Sequence, residues 1–487
     1  MHQGTNSIRN RPPNNGATER SIPVSGLISA LSYALDLTEG QPTGHAVRTC
    51  IIGMRLAQQI DMPAGEQSDL YYALLLKDAG CSSNSSRLFH ILCADEIRAK
   101  RDVKLTDWTK VGWESLQYAL THVATGQPFL ERMRTLVRVA AKQQTESCEL
   151  VKIRCERGAS VARRMGFSES VCTAIHSLDE HWNGGGYPDG LQGREIPLFA
   201  RILNLAQTLD VFRFNRGDDA AVEVVQRRAK RWFDPELVQA AVGLAKSGHL
   251  WAGLDSEESI ERVVEMEPQG RRVELTEERL DQICLAFAEV IDAKSPFTYR
   301  HSNGVAEAAG TIALRLGSSE SEMAFLRRAA LLHDVGKLGV SNSILEKPAK
   351  LDPDEWNTMK KHPYHSRQIL RRIAGFEDLA EVAASHHEKI DGTGYYRRLG
   401  GDELSLPVRI LVVADIFDAL SAKRPYRDAL PLDTVLGMLK KEAPHALDAG
   451  CVEALVDAQV RNPSMATDPA SAVAEPAEPV GQSNRAR

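Results

Sequence analysis

The feature that most constrains the fold of this chain is an internal repeat that spans most of its length. GHAVRT, beginning at Gly44, resembles RHSNGV at Arg300, and LLLKDAGC resembles ALLHDVGK, both at an offset of 256 positions. Later landmarks, such as GGGYP and GTGYY, share an offset of 208. Agreement at two constant offsets predicts two homologous domains. The difference between the offsets places about 48 extra residues in the first copy, between Cys81 and Arg154.

Apolar residues recur at helical spacing in both halves. QICLAFAEVIDA, residues 282–293, and GVAEAAGTIALRL, residues 304–316, repeat apolar positions every three or four residues. The apolar run from Ile410 to Phe417 fits a buried strand or a helix, and its continuation to Leu420 favours a helix. The sequence therefore predicts an all-α fold of two tandem helical domains.

Composition marks the ends of these domains. Residues 1–20 are polar and residues 462–487 are rich in Pro, Ala, Ser and Glu, so we expect both termini to be disordered. A charged stretch with a break at Pro268 is typical of an inter-domain connection. The predicted division is a first domain at 21–255 with a helical insertion near 82–150, a linker at 256–279 and a second domain at 280–461.

Charge and hydropathy exclude several classes of protein. The net charge of −6 argues against a general binder of duplex nucleic acid. Neither a run of about 18 apolar residues nor the apolar core of a signal peptide is present, so we expect no membrane span and a cytoplasmic location. The eight cysteines contain no CxxC pair, which favours reduced thiols over a disulfide framework.

The second repeat contains a dense set of imidazole and carboxylate side chains. They are His301, His333, Asp334, His362, His386, His387 and Asp415. Such a set without thiolates favours Fe, Mn or Zn in an open catalytic site. A carboxylate at Asp334 could bridge two metals, an arrangement used for phosphate-ester hydrolysis. A single histidine such as His365 is more often packed or solvated, so the prediction depends on the whole set.

Residues 280–450 resemble the HD-GYP family of bacterial phosphodiesterases, a branch of the HD hydrolase superfamily. The matching strings, in the family's order, are RHSNGV, LLHDVGKLGV, ILEKP, MKKH, SHHEKIDGTGYY and RILVVADIFDALSAKRPY. The resemblance implies an all-helical fold and a centre of two or three metals, often iron or manganese. It also implies hydrolysis of cyclic di-GMP, or in some members 3′,3′-cyclic GMP-AMP, in second-messenger signalling.

The resemblance also implies roles for individual residues. One metal would be held by His301, His333, Asp334 and Asp415, and Asp334 would bridge to a second metal held by His362, His386 and His387. Lys337, expected to be catalytic together with Asp334, matches a lysine that holds the scissile phosphate. The alternative interpretation is that Lys337 is a solvated residue at a helix end without a catalytic role. The expected substrate-binding residues are Gly392, Gly394 and Tyr395 in the pocket loop and Arg424 and Arg427 in the phosphate clamp. The alternative interpretation of the two arginines is that they lie in a charged, solvated loop and bind no substrate.

Two positions depart from the family pattern. Tyr396 stands where the family has the proline of GYP, which is expected to alter the loop but removes no metal ligand. Phe297 stands where members with three metals have a glutamate. The expected cofactors are therefore two divalent ions. Iron and manganese are the preferred choices, and zinc, magnesium and nickel are the alternatives.

The first repeat lacks most of these ligands. His45 and Asp78 remain, but the positions of His333, Lys337, His362, His386, His387 and Asp415 hold Lys77, Cys81, Arg154, Leu178, Asp179 and Gln207. This domain is interpreted as a degenerate copy. Two interpretations stay open: a scaffold that packs against the second copy or forms a homodimer, and a sensory pocket in which Lys77 and Arg154 hold an anionic ligand.

The leading hypothesis is an enzyme that hydrolyses a cyclic dinucleotide to a linear dinucleotide or to mononucleotides, with the metals as cofactors. One alternative is another HD-superfamily hydrolase that acts on nucleotides or phosphomonoesters. The other is a receptor that binds a cyclic dinucleotide without turnover. A panel of substrates distinguishes the leading hypothesis from the other hydrolase. Tight binding of a cyclic dinucleotide without hydrolysis would favour the receptor.

Overall fold

The computed structural model describes residues 24–107, 113–255, 259–268, 275–423 and 428–461. These residues form α-helices and short 3-10 turns without a β-strand, which confirms the predicted all-α fold. The segment from Ile410 to Phe417 is helical, as its neighbours indicated. The termini expected to be disordered, 1–20 and 462–487, lie outside the described residues.

The helices follow one another with short connections. Those of the first half are α1 (Val24–Thr38), α2 (His45–Gln59), α3 (Ala64–Leu76), α4 (Ser85–Leu92), α5 (Glu96–Val103), α6 (Trp113–His122), α7 (Phe129–Arg164), α8 (Glu169–His176), α9 (Leu198–Arg216), α10 (Asp218–Arg228), α11 (Pro235–Lys246) and α12 (Ser259–Glu265). Those of the second half are α13 (Glu277–Asp292), α14 (His301–Arg315), α15 (Glu320–Leu332), α16 (Asn342–Leu345), α17 (Pro353–Met359), α18 (His362–Leu370), α19 (Glu377–Ala384), α20 (Leu406–Ser421), α21 (Leu432–Glu442) and α22 (Ala449–Arg461).

The two repeats place equivalent helices in equivalent positions. In the first, α2 packs against α3 and α9, and in the second α14 packs against α15 and α20. A Cβ added to Gly80 would lie 1.9 Å from the backbone oxygen of Arg154, and one added to Gly336 would lie 2.1 Å from that of His362. The same close approach therefore occurs at the positions that the two sequence offsets pair.

Several helices begin where the sequence places a capping residue. Ser319 and Glu322 form a capping box at the start of α15, and Asp352 and Glu355 form another at the start of α17. Pro353 occupies the first turn of α17, where its missing N–H costs no helical hydrogen bond. These local signals fix the entry of the helices that lead to the candidate site.

Helices α4, α5, α6 and the beginning of α7 occupy the region of the predicted insertion. They have a small hydrophobic core of their own, formed by Leu92, Ala99, Val123 and Ala124. Although α7 has 36 residues, neither it nor any other helix in the described ranges is apolar enough to cross a bilayer. The predicted linker contains α12, which packs on α1 and α2.

The two domains are joined by a contact that repeats with approximate symmetry. Helix α1 of the first domain packs against α18, and its counterpart α13 packs against α7. The guanidinium of Arg372 lies 4.1 Å from the ring centroid of Tyr33, while Arg164 pairs with Glu289 at the equivalent positions. Helix α1 also packs against the turn Val335–Gly339, so the first domain supports the segment that follows Asp334.

Candidate metal centre

The seven predicted ligands converge from five parts of the second domain. They are His301 at the start of α14, His333 and Asp334 after α15, His362 at the start of α18, His386 and His387 after α19, and Asp415 within α20. Their donor atoms form overlapping groups in which all atoms lie within 4.8 Å of one another. The structure therefore brings together every side chain of the predicted ligand set.

The carboxylate of Asp334 lies between two sets of histidines. Its Oδ2 is 3.5 Å from Nε2 of His301 and 3.3 Å from Nε2 of His333. Its Oδ1 is 3.3 Å from Nε2 of His362 and 3.5 Å from Nε2 of His386. Because each oxygen faces a different pair of nitrogens, this side chain has the geometry of a bridging ligand.

Asp415 completes the first set from the opposite side. Its Oδ1 lies 3.3 Å from Nε2 of His301 and 3.8 Å from Nε2 of His333, and its Oδ2 lies 3.8 Å from Nδ1 of His387. The cluster therefore has two acidic side chains that face five imidazoles. Without thiolates, this donor set suits borderline divalent ions such as iron, manganese or zinc.

Three of the histidines are oriented by backbone carbonyls three residues earlier. Nδ1 of His333, His362 and His386 lies 2.7, 2.7 and 2.6 Å from the carbonyl oxygens of Ala330, Met359 and Ala383, respectively. These carbonyls belong to the last turns of α15, α17 and α19, where intrahelical donors are missing. Because Nδ1 carries the proton in this arrangement, Nε2 is left with a lone pair that can bind a metal.

Two observations show that the cluster fits a metal. Nε2 of His333 and Oδ1 of Asp334 are buried without a hydrogen-bond partner among the described residues. Nε2 of His362 and Nε2 of His386 are only 3.1 Å apart, although both rings already donate from Nδ1. Two lone pairs at this distance repel each other, and a cation bound by both relieves the repulsion.

The pKa values of Asp334, His362 and His387 favour the protonation states that metal ligands need. Burial raises the pKa of Asp334, but the charges of His333 and Lys337 bring it well below its usual value. Burial lowers the pKa of His362 and of His387 well below the usual value. Ionised carboxylates and neutral imidazoles are the forms that bind metals.

A third carboxylate, which the sequence reasoning missed, orients His301. Oδ2 of Asp418 lies 2.6 Å from Nδ1 of His301. Burial lowers the pKa of His301, but hydrogen bonds to the surrounding carboxylates, first that of Asp334, raise it well above its usual value. In the first domain, Asp210 lies 2.7 Å from Nδ1 of His45. Asp210 and Asp418 are 208 positions apart, so the repeat contained the signal for this residue.

The other predicted site residues flank the cluster. The ammonium of Lys337 contacts Oδ2 of Asp334, and its side chain is 18 % exposed, which places it at the rim. The ring of Tyr395 lies 4.5 Å from that of His387 and 5.6 Å from that of Trp356. Lys337 and Tyr395 therefore lie beside the cluster. The predicted clamp arginines, Arg424 and Arg427, lie outside the described residues.

The loop that carries Tyr395 depends on backbone geometry and on one buried acid. Gly392 has a φ of 72°, and a Cβ added to Gly394 would lie 2.5 Å from Cα of Glu388. The Glu388 carboxylate accepts hydrogen bonds from the backbone N–H groups of Arg397 at 2.7 Å and Leu399 at 3.0 Å. Sequence reasoning missed Glu388 although it directly follows His386 and His387.

Tyr396, at the position of the family proline, changes the path of this loop. Its φ is 90°, a value that the ring of proline cannot adopt. The tyrosine ring lies 6.0 Å from that of Tyr364 and receives the guanidinium of Arg397 at 5.7 Å. The loop therefore follows a path that proline could not take, and the seven clustered side chains still converge.

In the first domain, side-chain cations occupy the equivalent region. Nζ of Lys77 lies 3.1 Å from Nε2 of His45 and contacts the carboxylate of Asp78. Nζ of Lys104, from the insertion, lies 2.8 Å from Glu39 and 3.6 Å from Asp78. The buried carboxylates therefore already have cationic partners.

The positions equivalent to the second set of histidines also differ. Arg154, at the position of His362, pairs with Asp179, at the position of His387. The acidic group of Glu39, Asp78 and Cys81 has donor atoms at metal-binding spacing, but Lys104 lies against both of its carboxylates. These ion pairs neutralise the buried carboxylates of the first domain, which explains how it keeps the same fold without the histidine cluster.

The fold and the cluster define a helical two-domain protein with a histidine and carboxylate centre of the kind that binds divalent metals. The profile of the HD domain family matches residues 131–237 and 286–450. The 3′3′-cGAMP-specific phosphodiesterase 3 of Vibrio cholerae is 43 % identical over 437 residues, which cover 90 % of this chain and 95 % of the relative. The chain therefore belongs to the HD domain family, and the predicted resemblance is confirmed.

Two further comparisons agree with this assignment. The cyclic di-GMP phosphodiesterase response regulator RpfG of Xanthomonas campestris is 37 % identical over 182 residues, 37 % of this chain and 48 % of the relative. A crystal structure of a cyclic GMP-AMP-specific phosphodiesterase from Vibrio cholerae has a TM-score of 0.63 at 40 % identity. The match covers 90 % of this chain and 98 % of that one.

Proposed function

We propose that this protein is a metal-dependent phosphodiesterase that hydrolyses a cyclic dinucleotide, with 3′,3′-cyclic GMP-AMP as the preferred substrate. The observation that carries the proposal is the carboxylate of Asp334, which presents one oxygen to each of two histidine pairs. The choice of substrate is supported by the Vibrio cholerae relative named for this dinucleotide, which is matched over 95 % of its length.

The proposed cofactors are two divalent ions, iron or manganese. One would be held by His301, His333 and Asp415, and the other by His362, His386 and His387, with Asp334 shared. Bound there, such ions would polarise the phosphodiester and lower the pKa of the attacking water.

The residues of the chain would hold the reacting groups in place. Asp418 orients His301 through its 2.6 Å hydrogen bond. The ammonium of Lys337, at the rim beside Asp334, would donate to a non-bridging phosphate oxygen and offset the negative charge that grows during attack. The water oxygen would form a bond to phosphorus while the bond from phosphorus to the ribose 3′ oxygen breaks. The proton that the water loses would reach that oxygen through solvent, so the product is a linear dinucleotide with a 5′-phosphate and a free 3′-hydroxyl.

Aromatic rings beside the cluster offer a surface for a nucleobase. Trp356 is 43 % exposed, and its ring meets that of Tyr395 at 70° with centroids 5.6 Å apart. Bases stack on such rings with little dependence on sequence. We therefore place one base of the substrate against Trp356 and Tyr395, and Arg424 and Arg427 stay the predicted phosphate clamp.

The test is a substrate panel with defined metal content. Protein purified and loaded anaerobically with Fe(II) or Mn(II) is incubated with 3′,3′-cyclic GMP-AMP, cyclic di-GMP or p-nitrophenyl phosphate, and products are separated by chromatography. We expect cleavage of both cyclic dinucleotides, faster for 3′,3′-cyclic GMP-AMP, and loss of cleavage with EDTA. Two bound ions per chain with no cleavage of either dinucleotide would refute the proposal. Tight binding without turnover would identify a receptor, and cleavage of the monoester alone would identify another hydrolase.

A further inference from the structure

A large cavity in the first domain lies between the degenerate centre and the inserted helices. Its volume is about 670 Å³, within the range of roughly 300–1,000 Å³ that small-molecule sites occupy. One side consists of residues from the altered centre, including Arg154, Asp179 and Gln207. The other side comes from α4, α5, α6 and α7. We call this space the insertion cavity; none of the residues that line it belongs to the histidine cluster of the second domain.

Two buried carboxamides in the insertion cavity have acceptor oxygens that no described residue satisfies. Oδ1 of Asn84 and Oε1 of Gln207 are buried and unpartnered, and both residues line the cavity. Nδ2 of Asn84 already donates to the carbonyl oxygen of Leu150 at 3.2 Å, which leaves its oxygen as the available group. A buried acceptor without a donor is destabilising, so the cavity favours a ligand with N–H or O–H groups.

The walls of the insertion cavity suit a flat ring. His181 and Trp232, which both line it, are stacked with centroids 4.1 Å apart and an interplanar angle of 21°. Leu88, Ile91 and Val139 add aliphatic surface from the inserted helices. Because Trp232 also carries the guanidinium of Arg228 at 4.2 Å, the stacked pair offers its edges. A flat ligand ring can pack against those edges and the aliphatic side chains while its own edge meets the two carboxamides.

The mouth of the insertion cavity is basic. Arg138 and Lys142, exposed and one turn apart on α7, both line it. Arg87, also at the mouth, is paired with Glu146 and Glu149. Within the described part of the chain, no carboxylate forms an ion pair with Arg138 or Lys142; the guanidinium of Arg138 instead approaches Sγ of Cys93 at 3.9 Å. These two cations are thus available for an anionic group of a ligand.

We propose that the insertion cavity is a binding site for a purine nucleotide, separate from the metal centre. The N–H groups on the purine edge meet the oxygens of Asn84 and Gln207, and the ring lies between the aromatic and aliphatic walls. The phosphate is bound at the mouth by Arg138 and Lys142. Lys77, which the sequence placed among the ligand-holding residues, does not line the cavity, because it lies beneath it against His45 and Asp78.

The test uses the full chain stripped of metal with EDTA, so that no turnover is required and the result is independent of the proposed phosphodiesterase activity. GMP and AMP are titrated by calorimetry, with decanoate as an apolar anion for comparison. We expect one site per chain for at least one of the two nucleotides and no binding of decanoate.

Variants locate the site. Arg138→Glu should weaken nucleotide binding about tenfold or more, since it replaces an attractive charge by a repulsive one. Arg134→Glu, an exposed position one turn earlier on α7 that does not line the cavity, should leave binding unchanged. Gln207→Leu removes one acceptor and should weaken binding as well. The proposal is overturned if neither nucleotide binds, if only decanoate binds, or if Arg138→Glu and Arg134→Glu behave alike.

Discussion

Asp78 in the first domain and Asp334 in the second stand at equivalent positions, and both are 1 % exposed. Around Asp334 the neighbours are imidazoles whose Nε2 atoms face the carboxylate, together with the ammonium of Lys337 at the rim. Around Asp78 they are the ammonium groups of Lys77 and Lys104. A buried carboxylate is costly without a cation nearby. The first domain has therefore kept the carboxylate and supplied side-chain cations where the second domain presents metal-binding atoms.

The difference shows that one helical scaffold can surround a buried carboxylate either with lysines or with imidazoles. Burial raises the pKa of Asp78, but the charges of Lys104 and Lys77 hold it well below its usual value. A lysine ammonium offsets the negative charge of a buried carboxylate, as a metal ion does, but cannot act as a Lewis acid. Lys104 follows α5, so the region of the predicted insertion supplies part of the positive charge that offsets the Asp78 carboxylate.

The largest expected effect is on the bridging position itself. Asp334→Asn should abolish metal retention and reduce turnover by more than about 100-fold, because even changes outside the ligand shell cost about 10–100-fold. The matched variant Asp78→Asn should leave metal content and stoichiometry unchanged, since Lys77 and Lys104 already occupy that region. Elemental analysis and a turnover assay on both proteins make the comparison. Equal metal loss in the two variants would show that both domains bind metal.

The next largest effect is a loss of stability when the contact between α5 and the second domain is broken. Glu96 of α5 is fully buried, and its carboxylate accepts from Nζ of Lys294 at 3.0 Å, from the Ser341 hydroxyl at 2.8 Å and from the Asn342 N–H at 3.0 Å. Glu96→Ala leaves Lys294 buried without its partner and should lower the free energy of unfolding by about 3–5 kcal/mol. Chemical denaturation measures the change.

The pH dependence gives a second check on Glu96. Burial raises its pKa, but Lys294 and the Asn342 N–H lower it below the ordinary value overall. The contribution of Glu96 to stability is therefore present above the pKa of the unfolded chain, near 4.5, and is lost as the pH falls through the lower folded value. The stability difference between wild type and Glu96→Ala should shrink in acid; a difference independent of pH would contradict the ion pair.

Asp418 in the second domain and Asp210 in the first each accept a hydrogen bond from Nδ1 of the equivalent histidine, His301 or His45. Asp418→Asn should reduce turnover or metal affinity about 10–100-fold with the fold retained, because it loosens the orientation of His301. Asp210→Asn should leave turnover nearly unchanged but weaken the first domain, since Asp210 also pairs with the buried Arg48 at 2.8 Å. Turnover, metal titration and thermal unfolding of both variants test this. A loss of activity from Asp210→Asn equal to that from Asp418→Asn would break the comparison.

The smallest expected effect concerns the loop in which the two domains differ by a proline. Tyr396→Pro places a residue with φ fixed near −65° where the backbone has a φ of 90°. We expect a loss of about 1–3 kcal/mol in stability, measured by denaturation, with metal content unchanged. Unaltered stability would mean that the second loop can adopt the path that Pro188 takes in the first domain.

Much of the site was determined by local sequence. The repeat, the helices and the ligand set all came from spacing and residue type, because helical periodicity and motif order are local properties of the chain. The i−3 carbonyl that orients His333, His362 and His386 also follows from their place at helix ends. The loss of ligands at Lys77 and Arg154 was likewise visible by alignment of the two copies.

Only the tertiary structure decided which charges face one another. Asp418 lies against His301 across 117 positions, and Lys104 reaches Glu39 from the insertion, contacts that no local pattern encodes. The hydrogen bonds that Glu96 accepts from the second domain likewise depend on helices that meet through packing. The same is true of the insertion cavity. Sequence fixes which groups a helix carries, whereas the partner of a buried charge is set by the neighbour that packing brings within a few ångströms.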